Sequence, residues 1–379
     1  MTFEYQKSRR FFVQVPRGLE KLARREIESL GAQGIRPGLG GFHVTLDWDA
    51  LFRLNYRGRL LVRVLAPLIT FDCHSDRYLY KTVQHLDWSK LLTLETTFAV
   101  SARLADSAIT HSQFASRRVK DAIVDQFRDK CGLRPSVDPL APDLWLHLHL
   151  RANRAVLYAD TSGGSLHRRH GSRDDVVAPL NETLAAAMIR LSGWQGRTPF
   201  LDPFCGSGTL LQEALGLAAG LPAGLARQKF GIQRLPGFDP ARWQKFLAGE
   251  EKNGRPLAAG LIRGSDIDAQ AVASARAHLA AWPQGDSIPV TVSDFRQLPP
   301  FPDGTIVTNP PYGVRLGGGN ELPALYRDFG RFLREKCPGT RAWVLCGNPE
   351  LPGHLGIPPR QEIPLFNGPI RCRLLELAP

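Results

Sequence analysis

Phe200-Leu201-Asp202-Pro203-Phe204-Cys205-Gly206-Ser207-Gly208-Thr209-Leu210-Leu211 reads as a short buried strand, a glycine-rich turn and the start of a helix running on through Gln212, Glu213, Ala214 and Leu215. Gly206 and Gly208 let the backbone approach a ligand closely, as in nucleotide-binding strand–turn–helix units. The third glycine of the dinucleotide fingerprint is absent, with Leu211 in its place, and no Gly-Lys-Ser/Thr follows, which argues against a phosphate-cradling loop. Cys205 sits inside the turn, where a small residue fits beneath a ligand; nothing beside it marks a nucleophile. Gly-x-Gly alone is weak evidence. Its weight comes from three later segments.

Leu261-Ile262-Arg263-Gly264-Ser265-Asp266-Ile267-Asp268 places Asp266 after a short apolar strand, where a carboxylate can accept from both hydroxyls of a ribose. Val290-Thr291-Val292-Ser293-Asp294-Phe295 places Asp294 likewise, able to accept from an adenine amino group. Each alone reads as a helix cap or a solvated strand end. Recurring at successive strand ends, where open α/β sheets bind ligands, they point to one shared cofactor. The last segment, Thr305-Ile306-Val307-Thr308, leads into Asn309-Pro310-Pro311-Tyr312. Two consecutive prolines fix two φ angles and remove two donors, so the turn is stiff and its carbonyls point outward. The Asn309 amide oxygen and the Pro310 carbonyl can accept from an exocyclic amino group, while Tyr312 offers a ring on which a base can stack.

Together these segments resemble the class I methyltransferases that use S-adenosylmethionine (SAM). Asp202, Pro203, Phe204, Cys205, Gly206, Ser207, Gly208 and Thr209 resemble their first motif, and Asp266-Ile267 and Asp294-Phe295 their second and third. Asn309, Pro310, Pro311 and Tyr312 resemble the amino-group methylation motif, which the resemblance makes the catalytic set. Arg173 and the stretch Ala178 to Ala186, with Leu180, Asn181, Glu182 and Thr183, resemble the segment that closes over the methionine end of SAM. Gln361 to Phe366 and Pro369 to Leu375 read as two strands about Asn367-Gly368, a type I′ hairpin signal that suits the antiparallel end of such a sheet.

The chain has 379 residues, with 48 Lys/Arg against 36 Asp/Glu, a net charge of +12 and a pI near 9.7. Residues 1–174 hold +9 of that excess and residues 175–379 only +3. A basic front half beside a near-neutral catalytic half suits a polyanionic partner. No apolar run reaches membrane-span length and no signal-peptide core opens the chain, so a cytoplasmic protein without a membrane partner is expected. The cysteines at 73, 131, 205, 337, 346 and 372 form no Cys-x-x-Cys, so neither a disulfide framework nor a metal site is expected.

In the front half, residues 18–31 read as an amphipathic helix, and 43–46, 60–65, 97–102, 144–150 and 155–160 as strands. A helix over 112–130 buries Val119, Ile123 and Phe127 and presents Arg117, Arg118 and Lys120. This helix followed by Gly132-Leu133-Arg134-Pro135 resembles the THUMP domain, an RNA-binding module. Asp160-Thr161-Ser162-Gly163, Leu166-His167-Arg168-Arg169-His170-Gly171-Ser172-Arg173 and Phe230-Gly231-Ile232 resemble the bacterial 23S rRNA guanine-N2 methyltransferases. One departure is His170-Gly171-Ser172-Arg173, where that family has Arg-Gly-Tyr-Arg. Another is the end at Pro379, where some relatives carry a second, fused methyltransferase; no second activity is expected.

The resemblance implies an α/β chain of three parts: a ferredoxin-like domain over 1–68, a THUMP domain over 69–165, and a Rossmann-like methyltransferase domain over 166–379 ending in the antiparallel hairpin. The long spacing from Asp202 to Asp266 implies an insertion near 218–255. The implied reaction is SAM-dependent methylation of a guanine N2 in RNA, with 23S rRNA or a ribosome assembly intermediate as partner. Arg117, Arg118, Lys120, Arg168, Arg169 and Arg173 are the expected RNA contacts. The rivals are a tRNA guanine-N2 methyltransferase, a DNA adenine-N6 methyltransferase, for which Asn-Pro-Pro-Tyr serves equally well, and a non-catalytic RNA-binding assembly factor.

Overall fold

The computed structural model describes residues 2–167, 169, 180–313 and 321–379. These form two compact units. The first comprises the chain up to Val15, Ala23–Leu166 and Arg227–Ala248; the second comprises Pro16–Leu22, His167–Ala226 and Gly249–Pro379, as far as these are described.

The first unit is built on one sheet of eight strands: β1 (Arg10–Gln14), β2 (Gln33–Gly38), β3 (Gly41–Thr45), β4 (Arg63–Asp72), β5 (Thr97–Ala105), β6 (Ser136–Val137), β7 (Leu144–Arg151) and β8 (Arg154–Asp160), in the order β2-β3-β1-β4-β8-β7-β5-β6. Strand β4 joins the halves. Its start pairs with β1 through Arg63, Val64 and Leu65, and Leu65 to Asp72 pair with β8. The basic helix spans Ser112–Cys131 and ends where Gly132 takes φ +74°, a left-handed cap that glycine adopts at little cost. Its buried face holds Val119, Ile123 and Phe127, as its spacing predicts.

The expected insertion contributes to this unit. Trp243, 3% exposed, sets its ring edge-on to Phe52 at 4.9 Å and stacks on Phe246 at 5.4 Å, with Phe230 and Tyr56 closing the cluster. Tyr5 donates to the Pro236 carbonyl at 3.0 Å. Residues 227–248 are thus bound in by aromatic packing on the Trp48–Arg57 helix.

The second unit holds seven strands: β9 (Phe200–Asp202), β10 (Ile262–Asp266), β11 (Val290–Val292), β12 (Thr305–Thr308), β13 (Arg341–Cys346), β14 (Gln361–Asn367) and β15 (Ile370–Leu377), in the order β11-β10-β9-β12-β13-β15-β14. Strands β9 to β13 are parallel and β15 runs antiparallel to β13. From β9 the order proceeds to β10 and β11 on one side and to β12 and β13 on the other, so the switch point falls between β9 and β12. In such sheets ligands bind beyond the carboxyl ends of the strands at that point. Asp202 ends β9 and Asn309 follows β12. Beneath them Leu201, Ile306, Phe329, Phe332, Val344 and Leu375 share one apolar core.

The terminal hairpin differs from its expected form by one residue. Asn367 pairs with Ile370, so the turn residues are Gly368 and Pro369, and of Asn367 and Gly368 only the glycine has a positive φ, +59°. Proline's ring forbids the positive φ that a type I′ turn needs at its second position, whereas a type II′ turn asks only for glycine first. Among the described residues no helix is long and apolar enough to cross a membrane, and no cluster of His, Cys, Asp and Glu could hold a metal ion.

Candidate active site at the carboxyl ends of the parallel strands

The turn after β9 is held from below. Gly206 N donates to Asp266 Oδ2 at 2.8 Å, and Cys205 N donates to the Ser265 carbonyl at 2.9 Å. Gly206 has φ +52° and a methyl group added there would meet nothing within 4 Å among the described residues, which leave the loop's upper side open. At Gly208, φ +83°, such a group would lie 3.1 Å from Ala275 Cβ, which packs the following Thr209–Ala218 helix close against its neighbour. The missing third glycine has a replacement. Leu211 occupies the space above Gly264 of β10, which any side chain at 264 would fill. Burial pushes the Cys205 thiol well above its ordinary range, so the residue is no thiolate.

Asp266 is half-buried; besides Gly206 it accepts from Asp268 N at 3.0 Å. Ile267, beside it, is 70% exposed, an apolar side chain open at the strand end. Asp294 accepts from Arg296 through both carboxylate oxygens, and this partner holds its carboxyl below the usual range. Phe295 is 3% exposed and its ring lies in the core among Phe204, Phe329 and Phe332, which leaves mainly its backbone for a ligand.

Asp202 is 1% exposed, accepting from Thr308 Oγ1 at 2.6 Å and from Phe204 N at 3.2 Å. Burial pushes its carboxyl up to about 7; the nearby Asp266 charge adds to the rise, while the two hydrogen bonds oppose it. The Thr308 bond ties the glycine turn to the strand that delivers Asn309. Asn309 is half-buried, and its Oδ1 is shielded from solvent with no hydrogen-bond donor among the described residues. Pro310 is buried; Pro311 and Tyr312 are half-buried. Tyr312 leans on Gly347 and receives a hydrogen bond on its hydroxyl from Asn367 Nδ2 at 3.0 Å.

Leu180 is buried, and Asn181 caps the Glu182–Leu191 helix by accepting from Thr183 N at 2.9 Å and Leu184 N at 3.3 Å. Glu182 accepts from Arg169 N at 3.0 Å, and Thr183 Oγ1 is buried without a partner among the described residues. Arg169 requires a correction. Expected on an RNA-facing surface, it is 4% exposed and its guanidinium pairs with Glu213, itself 2% exposed. A buried arginine with a carboxylate partner is part of the packing, because freeing it would strand a buried charge. Arg168 and Arg173 lie outside the described residues.

Of the basic helix, Arg117 is exposed, while Arg118 lies 4.7 Å over the Tyr80 ring with Asp76 at 3.5 Å, and Lys120 pairs with Asp121. Four contributors escape a reading of the sequence: Thr308, Gly264, Gly347 and Asn367. Thr308 adjoins Asn309 and Asn367 carries a hairpin signal, but neither signal marks a place in the site.

A parallel sheet with a glycine turn at its switch point, acidic strand ends and Asn-Pro-Pro-Tyr defines a class I methyltransferase. Residues 169–376 match the RMKL-like methyltransferase domain, residues 74–160 the THUMP domain and residues 10–65 the RlmL ferredoxin-like domain. A candidate RNA methyltransferase of Synechocystis sp. is 34% identical over 371 residues, 97% of this chain and 96% of its own. The ribosomal RNA large subunit methyltransferase K/L of Syntrophotalea carbinolica is 37% identical over 381 residues, 97% of this chain but 53% of its own, so the chain spans about half that relative's length. Among solved structures, SMU.472, a candidate methyltransferase in complex with SAH, superposes with a TM-score of 0.85 at 23% identity, covering 97% of each chain. A Listeria monocytogenes protein described as a predicted N6-adenine-specific DNA methylase gives 0.83 at 25% identity, covering 98% of this chain and 96% of its own. The chain belongs to the RMKL-like methyltransferase family, with a ferredoxin-like and a THUMP domain ahead of the catalytic one. Its methyl donor is that of the class I methyltransferases, SAM.

Proposed function

We propose that this chain methylates RNA at the exocyclic N2 of a guanine, with 23S rRNA, free or in a ribosome assembly intermediate, as the substrate. The observation that carries the choice of an amino group as methyl acceptor is Asn309 Oδ1, a shielded acceptor at the switch point of the sheet without a donor among the described residues. A buried unpaired acceptor costs about 1–3 kcal/mol, so its retention argues for a ligand that donates to it. An amino group offers two N–H donors, one for Asn309 Oδ1 and one for the Pro310 carbonyl. RNA as the substrate is supported by the THUMP match, the names of the two relatives and the excess of basic charge in the front half.

The residues present fit SAM. The open side of Gly206 leaves room for it, Asp266 retains acceptor capacity beside the exposed Ile267, and Asp294 is an ionised acceptor at the next strand end. When bound, SAM supplies an electrophilic methyl group on its sulfonium. The protein's work is then chiefly alignment. Asn309 and the Pro310 carbonyl orient the amino hydrogens so that the nitrogen lone pair, otherwise delocalised into the ring, points toward the donor. The same acceptors stabilise positive charge developing on that nitrogen. Tyr312 bounds the space for a base looped out of structured RNA. On this reading residues 69–165 grip the RNA and 166–379 carry the chemistry, with residues 227–248 built into the front unit.

The test is in vitro methylation of 23S rRNA, bulk tRNA and duplex DNA, followed by nucleoside mass spectrometry. N2-methylguanosine in 23S rRNA, at least a hundredfold slower with Asn309→Ala, is the expected result. The name of the Listeria relative favours a second reading, adenine-N6 methylation of DNA, which N6-methyladenine in the duplex would establish instead.

A further inference from the structure

The acidic end of β11 is organised more tightly than a cofactor contact alone requires. Asp294 Oδ1 accepts from Arg296 N and Nε, both at 2.9 Å, and Oδ2 accepts from Arg296 Nη2 at 2.6 Å. The remaining guanidinium nitrogen, Nη1, donates to Asp328 Oδ2 at 3.1 Å from the Glu321–Lys336 helix. Lys336 Nζ fixes the backbone of the same turn, donating to the carbonyls of Arg296 and Leu298 at 2.9 Å each. Arg296 also lies over the Phe295 ring at 5.5 Å. The fork is therefore gripped on both sides, while the Asp294 side chain remains 16% exposed.

A carboxylate has about four acceptor positions and no donor. Among the described residues Arg296 fills two on Oδ1 and one on Oδ2, which leaves a single position. It also holds the carboxyl below its ordinary range, so protonation does not turn Asp294 into a donor near neutral pH. Purines differ in what they offer to such a group. A 6-amino group donates; a 6-oxo group can only accept and is repelled by a carboxylate.

We propose that Arg296 is a specificity-determining positioning residue: gripped between Asp294 and Asp328, it leaves Asp294 one acceptor position, which selects a 6-amino over a 6-oxo purine in the cofactor. The inference rests on the cofactor site proposed above and names what sets its base preference. Without the guanidinium the carboxylate is free to rotate away from a 6-oxo oxygen, and the penalty against that group falls.

The test is calorimetric titration of the full chain with S-adenosylhomocysteine and its deaminated analogue S-inosylhomocysteine. The expected wild-type preference for the adenosyl compound narrows about tenfold in Arg296→Gln, because adenosyl affinity drops while inosyl affinity holds or rises. Asp328→Asn, which loosens the guanidinium without removing it, narrows the ratio in the same direction by less. A purely structural role for Arg296 would weaken both ligands equally and leave the ratio unchanged, which overturns the proposal. Asp294→Asn separates the two levels of argument. A collapsed ratio in Asp294→Asn with an intact ratio in Arg296→Gln removes Arg296 from base selection and keeps the cofactor site. Wild-type affinity and ratio in Asp294→Asn would remove the site itself, and the proposal with it.

Discussion

Gly347→Ala should slow methylation without touching the cofactor, and the structure supplies the magnitude. A methyl group at position 347 would lie 2.7 Å from Tyr312 Cε2, 2.8 Å from Cδ2 and 3.2 Å from Ile370 Cγ2. Ordinary contact begins at 3.4 Å, so the ring must retreat by about 0.7 Å. The backbone at 347 has no positive φ, so the alanine itself is unstrained and the whole cost falls on the neighbour. The retreat disturbs the 3.0 Å bond from Asn367 to the Tyr312 hydroxyl. It also travels backward. Pro311 and Pro310 have fixed φ and absorb little of the shift, so it reaches Asn309. A misplacement approaching 1 Å at a reacting centre costs about a hundredfold in rate. Overpacking of this kind costs roughly 1–3 kcal/mol of stability. The assay is single-turnover methylation beside calorimetry with S-adenosylhomocysteine, whose affinity should stay within about twofold, a change worth less than 0.5 kcal/mol. The control is the double variant with Tyr312→Ala: with the ring gone, the added methyl meets less, and the pair should be no slower than Tyr312→Ala alone. A wild-type rate in Gly347→Ala, or a double variant slower than both singles, would refute the chain from Gly347 through Tyr312 to Asn309.

Asp266→Ala should weaken S-adenosylhomocysteine by roughly 1.5–3 kcal/mol, since ligand hydroxyls and the Gly206 N–H lose one acceptor together; unchanged calorimetric affinity removes Asp266 from the site. Asp202 should make stability depend on pH. Its folded carboxyl is raised from 3.8 to about 7, so the folded state binds the extra proton, and the stability it contributes is complete below 3.8 and lost as pH rises through 7. Asp202→Asn should therefore gain melting temperature relative to wild type between pH 4 and pH 8, and a pH-independent gap would show that the raised carboxyl is wrong. Arg117→Gln should reduce the salt dependence of RNA binding by about one counterion, whereas Arg118, engaged by Tyr80 and Asp76, should contribute less; equal slopes for wild type and Arg117→Gln would make this helix face a solvated surface.

The second unit was legible because its chemistry sits where the sequence punctuates itself. A parallel strand is an apolar run, and Asp202, Asp266, Asp294 and Asn309 each stand at or just beyond the end of one. The parts that escaped depend on partners far away in the chain. Arg168-Arg169 reads as a basic pair, and nothing nearby announces that Glu213 lies buried opposite Arg169. Leu211 reads as a broken fingerprint until Gly264, on the next strand, is seen to make room for it. Residues 227–248 follow a methyltransferase motif in sequence, yet Trp243 and Phe246 pack on Phe52 and Tyr56. Asn367-Gly368 is a strong hairpin signal, but Pro369 vetoes a type I′ turn there and the turn lies one residue further on, at Gly368 and Pro369. That shift matters for the site, since Asn367 in the last strand position is the residue that holds Tyr312.

Thr308 and Asn309 are adjacent and polar, and the structure treats them oppositely. Thr308 is fully buried and donates to Asp202, a bond that fastens β12 to the glycine turn. Asn309 Oδ1 is shielded and unmet among the described residues. Folding alone would favour satisfying both, or replacing the asparagine with an apolar residue of similar shape, which is nearly neutral when both partners of a hydrogen bond are removed. A shielded acceptor retained beside a satisfied neighbour is what a site awaiting an amino donor requires. Guanine N2 and adenine N6 offer the same two hydrogens to Asn309 and Pro310. Selection between the bases must then come from whatever delivers the nucleotide, so a variant of Asn309 should lower the rate on every substrate the enzyme accepts and change the order of none.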